Sequence, residues 1–237
     1  MHHKLVSTST ISRHLHEYGY KNVLPQCTHM LTSDEKQQRV QWAKKHINDD
    51  FNTTIFTDES SFQLFRNTVR RWAKNLNQEF KCSPKNRQKV HVWDAISVKG
   101  ILICHTFRCN LDGPYYVSIL EDYLLPAVTN QFGSNWRLQQ DNDPKHTSNI
   151  CQKFIDENVP QLLDWPSNSP DADPIENIRS IVKRNIEIIK PKNTDELELF
   201  LAEEFENIDI NVVKNCVMSM KKRCLSLIDG KGERIKY

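Results

Sequence analysis

The strongest constraint on how this chain folds is a change of texture at Phe51. Beyond it, short apolar runs rich in β-branched and aromatic residues are separated by turn signals, which reads as strands. Thr53 to Thr57, Phe62 to Phe65, Val90 to Ser97 and Ile101 to Phe107 have this character, with Lys99-Gly100 turning the last two into a hairpin. Strands then alternate with helices: Tyr115 to Val128 reads as helix, Trp136 to Gln140 as strand, Ser148 to Asn158 as helix and Gln161 to Leu163 as a short strand. After Pro174 the residues Ile175, Ile178, Val182, Ile186 and Ile189 keep a helical period, and two more helices follow. A meander followed by alternation predicts an α/β fold, a mixed sheet flanked by helices.

Before Phe51 the pattern is helical. Thr8 to Tyr18 places Ile11 and Leu15 on one face, with Ser7 or Thr10 as cap and Gly19 as stop. A connector from Lys21 to Ser33 leads into a second helix, reaching about His46 with Val40, Ala43 and Ile47 on one side.

The chain has 237 residues, 38% hydrophobic and 26% charged, enough for a packed core rather than disorder. No apolar run approaches the length of a bilayer span, and no secretory apolar core follows the first residues, so the expected location is the cytosolic or nuclear side of membranes. Seven cysteines, none in Cys-x-x-Cys spacing, read as reduced thiols and not as zinc ligands. Net charge is only +2, but it is segregated. Eight Lys or Arg stand between Arg66 and Lys89 against Glu79 alone, and seven more lie from Lys214 onward, whereas all seven charges from Asp195 to Asp209 are acidic. Such a distribution suits either a basic face for phosphates or solvated surface.

Three of the 30 acidic residues stand out by position. Asp58 follows the run Thr54 to Thr57, Asp141 follows Trp136 to Gln140, and Glu176 lies in the first turn after Pro174. Strand ends in such sheets converge on a crevice. Three carboxylates brought together repel one another unless cations intervene. Hard oxygen ligands select Mg²⁺ or Mn²⁺, and two such ions serve in-line displacement at phosphorus.

Context decides among the acids. Phe56-Thr-Asp-Glu-Ser60, Gln139-Gln-Asp-Asn-Asp-Pro-Lys-His-Thr-Ser148 and the Pro-rich stretch from Leu163 to Asn177 closely resemble signature blocks of the Tc/mariner superfamily of transposases. The 34 residues between Asp141 and Glu176 match the Tc-like branch whose third acid is Glu. Weaker blocks agree in order: Val92 to Ser97, Tyr115 to Pro126, and Ser219 to Arg223 with the closing Lys236-Tyr237. The resemblance implies a ribonuclease-H-like catalytic domain over residues 51–237, with Asp58, Asp141 and Glu176 as catalytic and metal-binding acids. It further implies cut-and-paste movement of a DNA element in the nucleus: metal-dependent cleavage of the terminal inverted repeats, then strand transfer, usually into TA targets, by a homodimer.

The resemblance also marks departures. Of the two helix-turn-helix units normal in the family, only Val6 to Tyr20 is matched, so residues 1–20 read as a remnant recognition segment and 21–50 as linker and connecting helix. Ser7, Thr10, Arg13 and His14 would face a major groove. Arg70 and Arg71 are further candidate DNA contacts, and the neighbouring Trp72 either stacks on a base or is half-buried in a strand. His146 either contacts DNA beside the metals or fixes its loop. Trp165, Pro166 and Pro170 shape the loop delivering Glu176. The family usually has Gly at 94, Asn at 173 and Trp at 179, where this chain has Asp94, Asp173 and Arg179. The alternative to an active enzyme is a truncated, inactive or co-opted DNA-binding protein that keeps the fold.

Overall fold

The computed structural model describes residues 7–18, 30–64 and 88–236. Arg70, Arg71, Trp72, Cys27, Cys82 and the expected strand end at Phe65 lie outside them. The chain divides into two compact units at Met30/Leu31.

The first unit contributes helix α1 (Thr8–Glu17), capped by the Ser7 hydroxyl accepting the Thr10 N–H at 3.2 Å. Its Ile11 and Leu15 are exposed.

The second unit opens with α2 (Ser33–His46), whose start is a reciprocal capping box between Thr32 and Glu35; Ser33, expected to precede the helix, is its first residue. Strands β1 (Thr54–Gln63), β2 (Lys89–Ser97), β3 (Gly100–Phe107) and β4 (Arg137–Gln139) form one mixed sheet in the order β3-β2-β1-β4. The first three are antiparallel and β4 runs parallel to β1. Gly100 closes the β2–β3 hairpin at φ 109°, a region that L side chains avoid.

Two expected strands, Thr53 to Thr57 and Phe62 to Phe65, are one. The polar residues 58–61 look like a break, yet the backbone pairs through them with β2. Pairing is set by the neighbouring strand, which a local reading of polarity does not see. The expected strand at 161–163 shrinks to a single bridge between Leu138 and Leu162. The expected helix at 115–128 is longer, running as α3 (Gly113–Ile119), a wide π turn (Leu120–Leu124) and α4 (Leu125–Phe132). Pro126, which has no N–H to donate, falls just after the wide turn, where the ordinary ladder is already interrupted.

Alternation along β1 and β2 sends side chains to two cores. Phe56, Phe62, Val92 and Ile96 join Trp42 of α2 and the apolar faces of α6 (Ile175–Ile189), α7 (Thr194–Glu206), α8 (Ile210–Met218) and α9 (Met220–Asp229). Ile55, Trp93 and Ala95 face the other way, against α3, α4 and α5 (Asn149–Asn158). Helices thus cover both faces of the sheet. In α6 the period holds from Ile175 through Ile178 and Val182 to Ile186, while Ile189, expected on the same face, is 38% exposed as the last residue of the helix. The described cysteines, Cys104, Cys109, Cys151, Cys216 and Cys224, are free thiols. Among the described residues no helix is long and apolar enough to cross a membrane.

Ile178 is fully buried and Ile188 is largely exposed on the same helix. Ile178→Ala is expected to cost about 2–5 kcal/mol in urea denaturation, and Ile188→Ala about 0.5 kcal/mol or less.

Candidate active site

Asp58 does not follow a strand, as expected, but sits inside β1, directly opposite Asp94 of β2. Both project to the α6 side, since they share a face with Phe56 and Val92. Glu59, the next residue, points to the opposite face. Glu176 lies in the first turn of α6, as expected, whereas Asp141 comes two residues after β4, which is shorter at both ends than the expected strand Trp136 to Gln140.

The Asp58 carboxylate accepts the Glu59 N–H at 2.7 Å through Oδ1 and the Arg179 Nη1 through Oδ2. Arg179, fully buried, also reaches Glu176 Oε1 at 3.5 Å with the same Nη1, and the Glu59 carbonyl at 3.1 Å. Its other edge grips Asp94: Nε donates to Oδ1 at 2.9 Å and Nη2 donates to the same oxygen. Two of the three expected acids therefore already share one cationic nitrogen. Burial pushes the Asp58 carboxyl well above the usual range, with Asp173, Glu59 and Glu176 adding to the rise and Arg179 opposing it. Asp94, fully enclosed, is also raised by burial against the pull of Arg179.

Asp141 is held differently. Its Oδ1 accepts the Asp143 N–H at 3.0 Å and pairs with His146 Nδ1 at 2.7 Å. The other ring nitrogen of His146 pairs with Glu59 Oε1 at 2.8 Å, and the ring lies 4.3 Å from that of Tyr116. Burial works against the imidazolium, yet the two carboxylates outweigh it and raise His146 to about 9. Burial likewise raises the Asp141 carboxyl, but the bonds from His146 and the Asp143 N–H dominate and the net result is a lowering. Of the two roles open to His146, the arrangement favours the structural one: the side chain is buried and both ring nitrogens pair with carboxylates. It fixes the loop.

A cavity of about 360 Å³ is lined by Asp58, Asp141 and Asp173 together with Trp165, Pro166 and Pro170 of the Pro-rich loop. Asn142 ties the Asp141 loop to this one through the Trp165 carbonyl at 3.0 Å. Two buried arginines anchor the loop from behind. Arg39 of α2 bonds Ser169 Oγ at 2.9 Å and both Asp171 oxygens at 2.8 and 2.6 Å; Arg223 of α9 bonds the Asp171 carbonyl at 3.1 Å and Asn177 Oδ1 at 2.5 Å. Among the described residues no three Asp, Glu, His or Cys side chains are gathered closely enough to hold a metal ion as they stand. Arg179 occupies the edge between Asp58 and Glu176.

Glu59, Asp94, Asp173 and Arg179 were not singled out as site residues from the sequence. Asp94 and Arg179 carried a signal all the same: two departures from the family pattern, 85 residues apart, with opposite charges. In α1, Ser7 spends its hydroxyl on the cap and on Ser9 and Thr10, and His14 pairs with Glu17 at 2.9 Å.

Asp173 is nearly enclosed and accepts the Ile175 N–H at 3.0 Å. Burial is the main cause that raises it to about 7; Glu176 adds to this, and the Ile175 N–H, Arg179 and Arg223 pull the other way. A carboxyl raised on folding favours the folded state only while protonated, so its contribution is full below pH 3.8 and is lost as pH rises through about 7. Asp173→Asn is therefore expected to be more stable than the unsubstituted protein at pH 8, on the order of a few kcal/mol. Thermal melts across pH should show that difference shrinking toward pH 4; a constant difference would exclude this origin.

A family model described as DDE superfamily endonuclease matches residues 53–198, and one described as Transposase matches residues 2–48, a wider stretch than Val6 to Tyr20. The Tcb1 transposase of Caenorhabditis briggsae is 29% identical over 241 residues, covering 98% of this chain and 88% of that relative. The Tc1 transposase of Caenorhabditis elegans is 28% identical with the same coverage. Among solved structures, the Mos1 mariner paired end complex with Mn superposes with a TM-score of 0.79 at 14% identity, over 98% of this chain and 72% of that one. The catalytic domain of Mos1 mariner transposase gives 0.74 at 13%, over 89% and 100%. These likenesses agree with a ribonuclease-H-like sheet flanked by helices. The chain resembles the Tc-like transposases of the Tc/mariner superfamily, and it belongs to the DDE superfamily endonucleases.

Proposed function

We propose that the protein is a cut-and-paste DNA transposase whose catalytic acids are Asp58, Asp141 and Glu176. The observation that carries this reading is that Asp58 and Glu176, 118 positions apart, already share one cationic nitrogen, while Asp141 lines the same cavity as Asp58. Three carboxylates with some solvent access, 21% for Asp58, 50% for Asp141 and 35% for Glu176, suit hard divalent cations. We assign them as the ligands of a Mg²⁺ or Mn²⁺ pair; structures of the Mos1 transposase catalytic domain have been solved with Mn and with Mg. When bound, the pair supplies activation of an attacking oxygen and neutralisation of the leaving one.

The protein's own contribution is placement. His146, fixed by Glu59, holds the Asp141 carboxylate in one orientation. The Pro-rich loop, fixed by Arg39 and Arg223, sets where α6 begins and so where Glu176 stands. The substrate is double-stranded DNA, the terminal repeats of a transposable element and then a TA target, handled by a homodimer in the nucleus. The proposed organisation is a helix-turn-helix DNA-binding segment at 1–20, a connector at 21–50 and the catalytic domain at 51–237, with Ser7, Thr10, Arg13, His14, Arg70 and Arg71 as DNA contacts. A second reading, a DNA-binding protein that keeps the fold without catalysis, is favoured by one observation: a guanidinium holds two of the acids.

Nicking of supercoiled plasmid with Mg²⁺ or Mn²⁺ separates the two. Asp141→Asn is expected to nick about a hundredfold more slowly or worse, near 2.7 kcal/mol in the barrier. Equal nicking by both proteins, or none by either, overturns the catalytic reading.

A further inference from the structure

We infer that Arg179 is a positioning residue that stands in for the divalent cation on the Asp58–Glu176 edge, and that Asp94 keeps it there, so the pair sets how tightly this protein takes up metal. This rests on the three acids being metal ligands.

The geometry is specific. Both side chains of the pair are fully buried, with 0% exposure. Asp94 engages one whole edge of the guanidinium through Nε and Nη2, which leaves only Nη1 free to face the acids. That nitrogen meets Asp58, Glu176 and the Glu59 carbonyl together. Glu176 is one turn before Arg179 on α6, and Asp94 is cross-strand from Asp58, so helix and strands are joined through this one guanidinium. A guanidinium cannot lose its proton to make way for a metal ion. It persists as a fixed positive charge beside the ligands. The compensating charge of Asp94 lies on the far side of the guanidinium, so the acids feel the cation more than the anion. A metal ion arriving at Asp58 and Glu176 must share oxygens with Nη1 or displace it. In exchange, the two acids are held side by side before any ion arrives, despite their mutual repulsion.

A fixed-charge role predicts an order that a packing role does not. In Asp94→Asn the guanidinium keeps its charge and loses its counter-ion, so it bears on the acids alone. In the double variant Asp94→Asn/Arg179→Gln the charges vanish together while amide hydrogen bonding across the pair is retained. Mn²⁺ binding, read as loss of the free-ion signal in electron paramagnetic resonance, is expected to be about tenfold or more tighter in the double variant than in the unsubstituted protein, and weaker in Asp94→Asn. Circular dichroism and metal-free thermal melts establish that each variant is folded. Folded variants with unchanged affinity, or the reverse order, overturn the inference.

A measurement on the unsubstituted protein carries no folding risk. The Arg179 Nε–H resonance, assigned through α6, should shift during a Mg²⁺ titration with the same midpoint as metal binding. A resonance indifferent to saturating Mg²⁺ overturns the inference as well. The underlying reading fails separately: the unsubstituted protein then binds no Mn²⁺, or Asp141→Asn binds it equally well, and the role of Arg179 falls with it. Where the unsubstituted protein binds Mn²⁺, Asp141→Asn does not, and the predicted order is absent, only the inference about Arg179 fails.

Discussion

Two carboxylates stand opposite each other on adjacent strands in the interior of the sheet, and everything around them follows from that. Asp58 and Asp94 are register partners on one face, where like charges repel. A buried charge without a partner costs several kcal/mol, which a domain of marginal stability does not tolerate well. Arg179 resolves the conflict by bonding both. To do so, α6 must dock on the sheet in one rotation, with Arg179 pointing inward among Ile175, Ile178 and Val182. That rotation also fixes Glu176, one turn earlier, over the same strand edge. Helix register, sheet face and acid position are therefore one constraint.

The opposite face of β1 repeats the logic with different chemistry. Because side chains alternate, Asp58 and Glu59 leave the strand in opposite directions. Glu59 meets His146, and His146 meets Asp141, so an imidazolium shared by two carboxylates ties the loop after β4 to the strand beside it. Consecutive residues of one strand thus position two different acids, each through a cation on its own side of the sheet.

The fold was legible where period and turn chemistry acted locally. The hairpin at Gly100, the apolar stripe of α6 through Ile186 and the mixed sheet under helices were all readable. What was not readable depended on partners distant in the chain. The polar run from Asp58 to Ser61 looks like a gap between strands until β2 pairs with it. Asp94 and Arg179 look like two isolated departures from a family pattern until the fold brings them within hydrogen-bonding distance. His146 could be assigned to DNA or to the loop with equal reason, since burial is a property of Tyr116 and Glu59 closing around it. The three acids could be proposed because their surrounding motifs are long; the groups that hold them could not, because each depends on a distant contact.

The tail beyond α9 is more than an appendage. Gly232 passes so close to α2 that a β-carbon there would lie 2.1 Å from the Lys36 carbonyl oxygen, and its φ of 80° suits only glycine. Its own carbonyl accepts Arg39 Nε at 3.0 Å and the Glu233 carbonyl accepts Nη2 at 3.3 Å, while Nη1 and Nη2 also hold the Pro-rich loop through Asp171. Trimming the last half-dozen residues, an ordinary step when tidying a protein for crystallisation, would leave an enclosed arginine short of acceptors directly behind the turn that delivers Glu176. An affinity handle fused there would load the same joint. Protein engineering at this end of the chain is, in effect, engineering at the rear wall of the cavity.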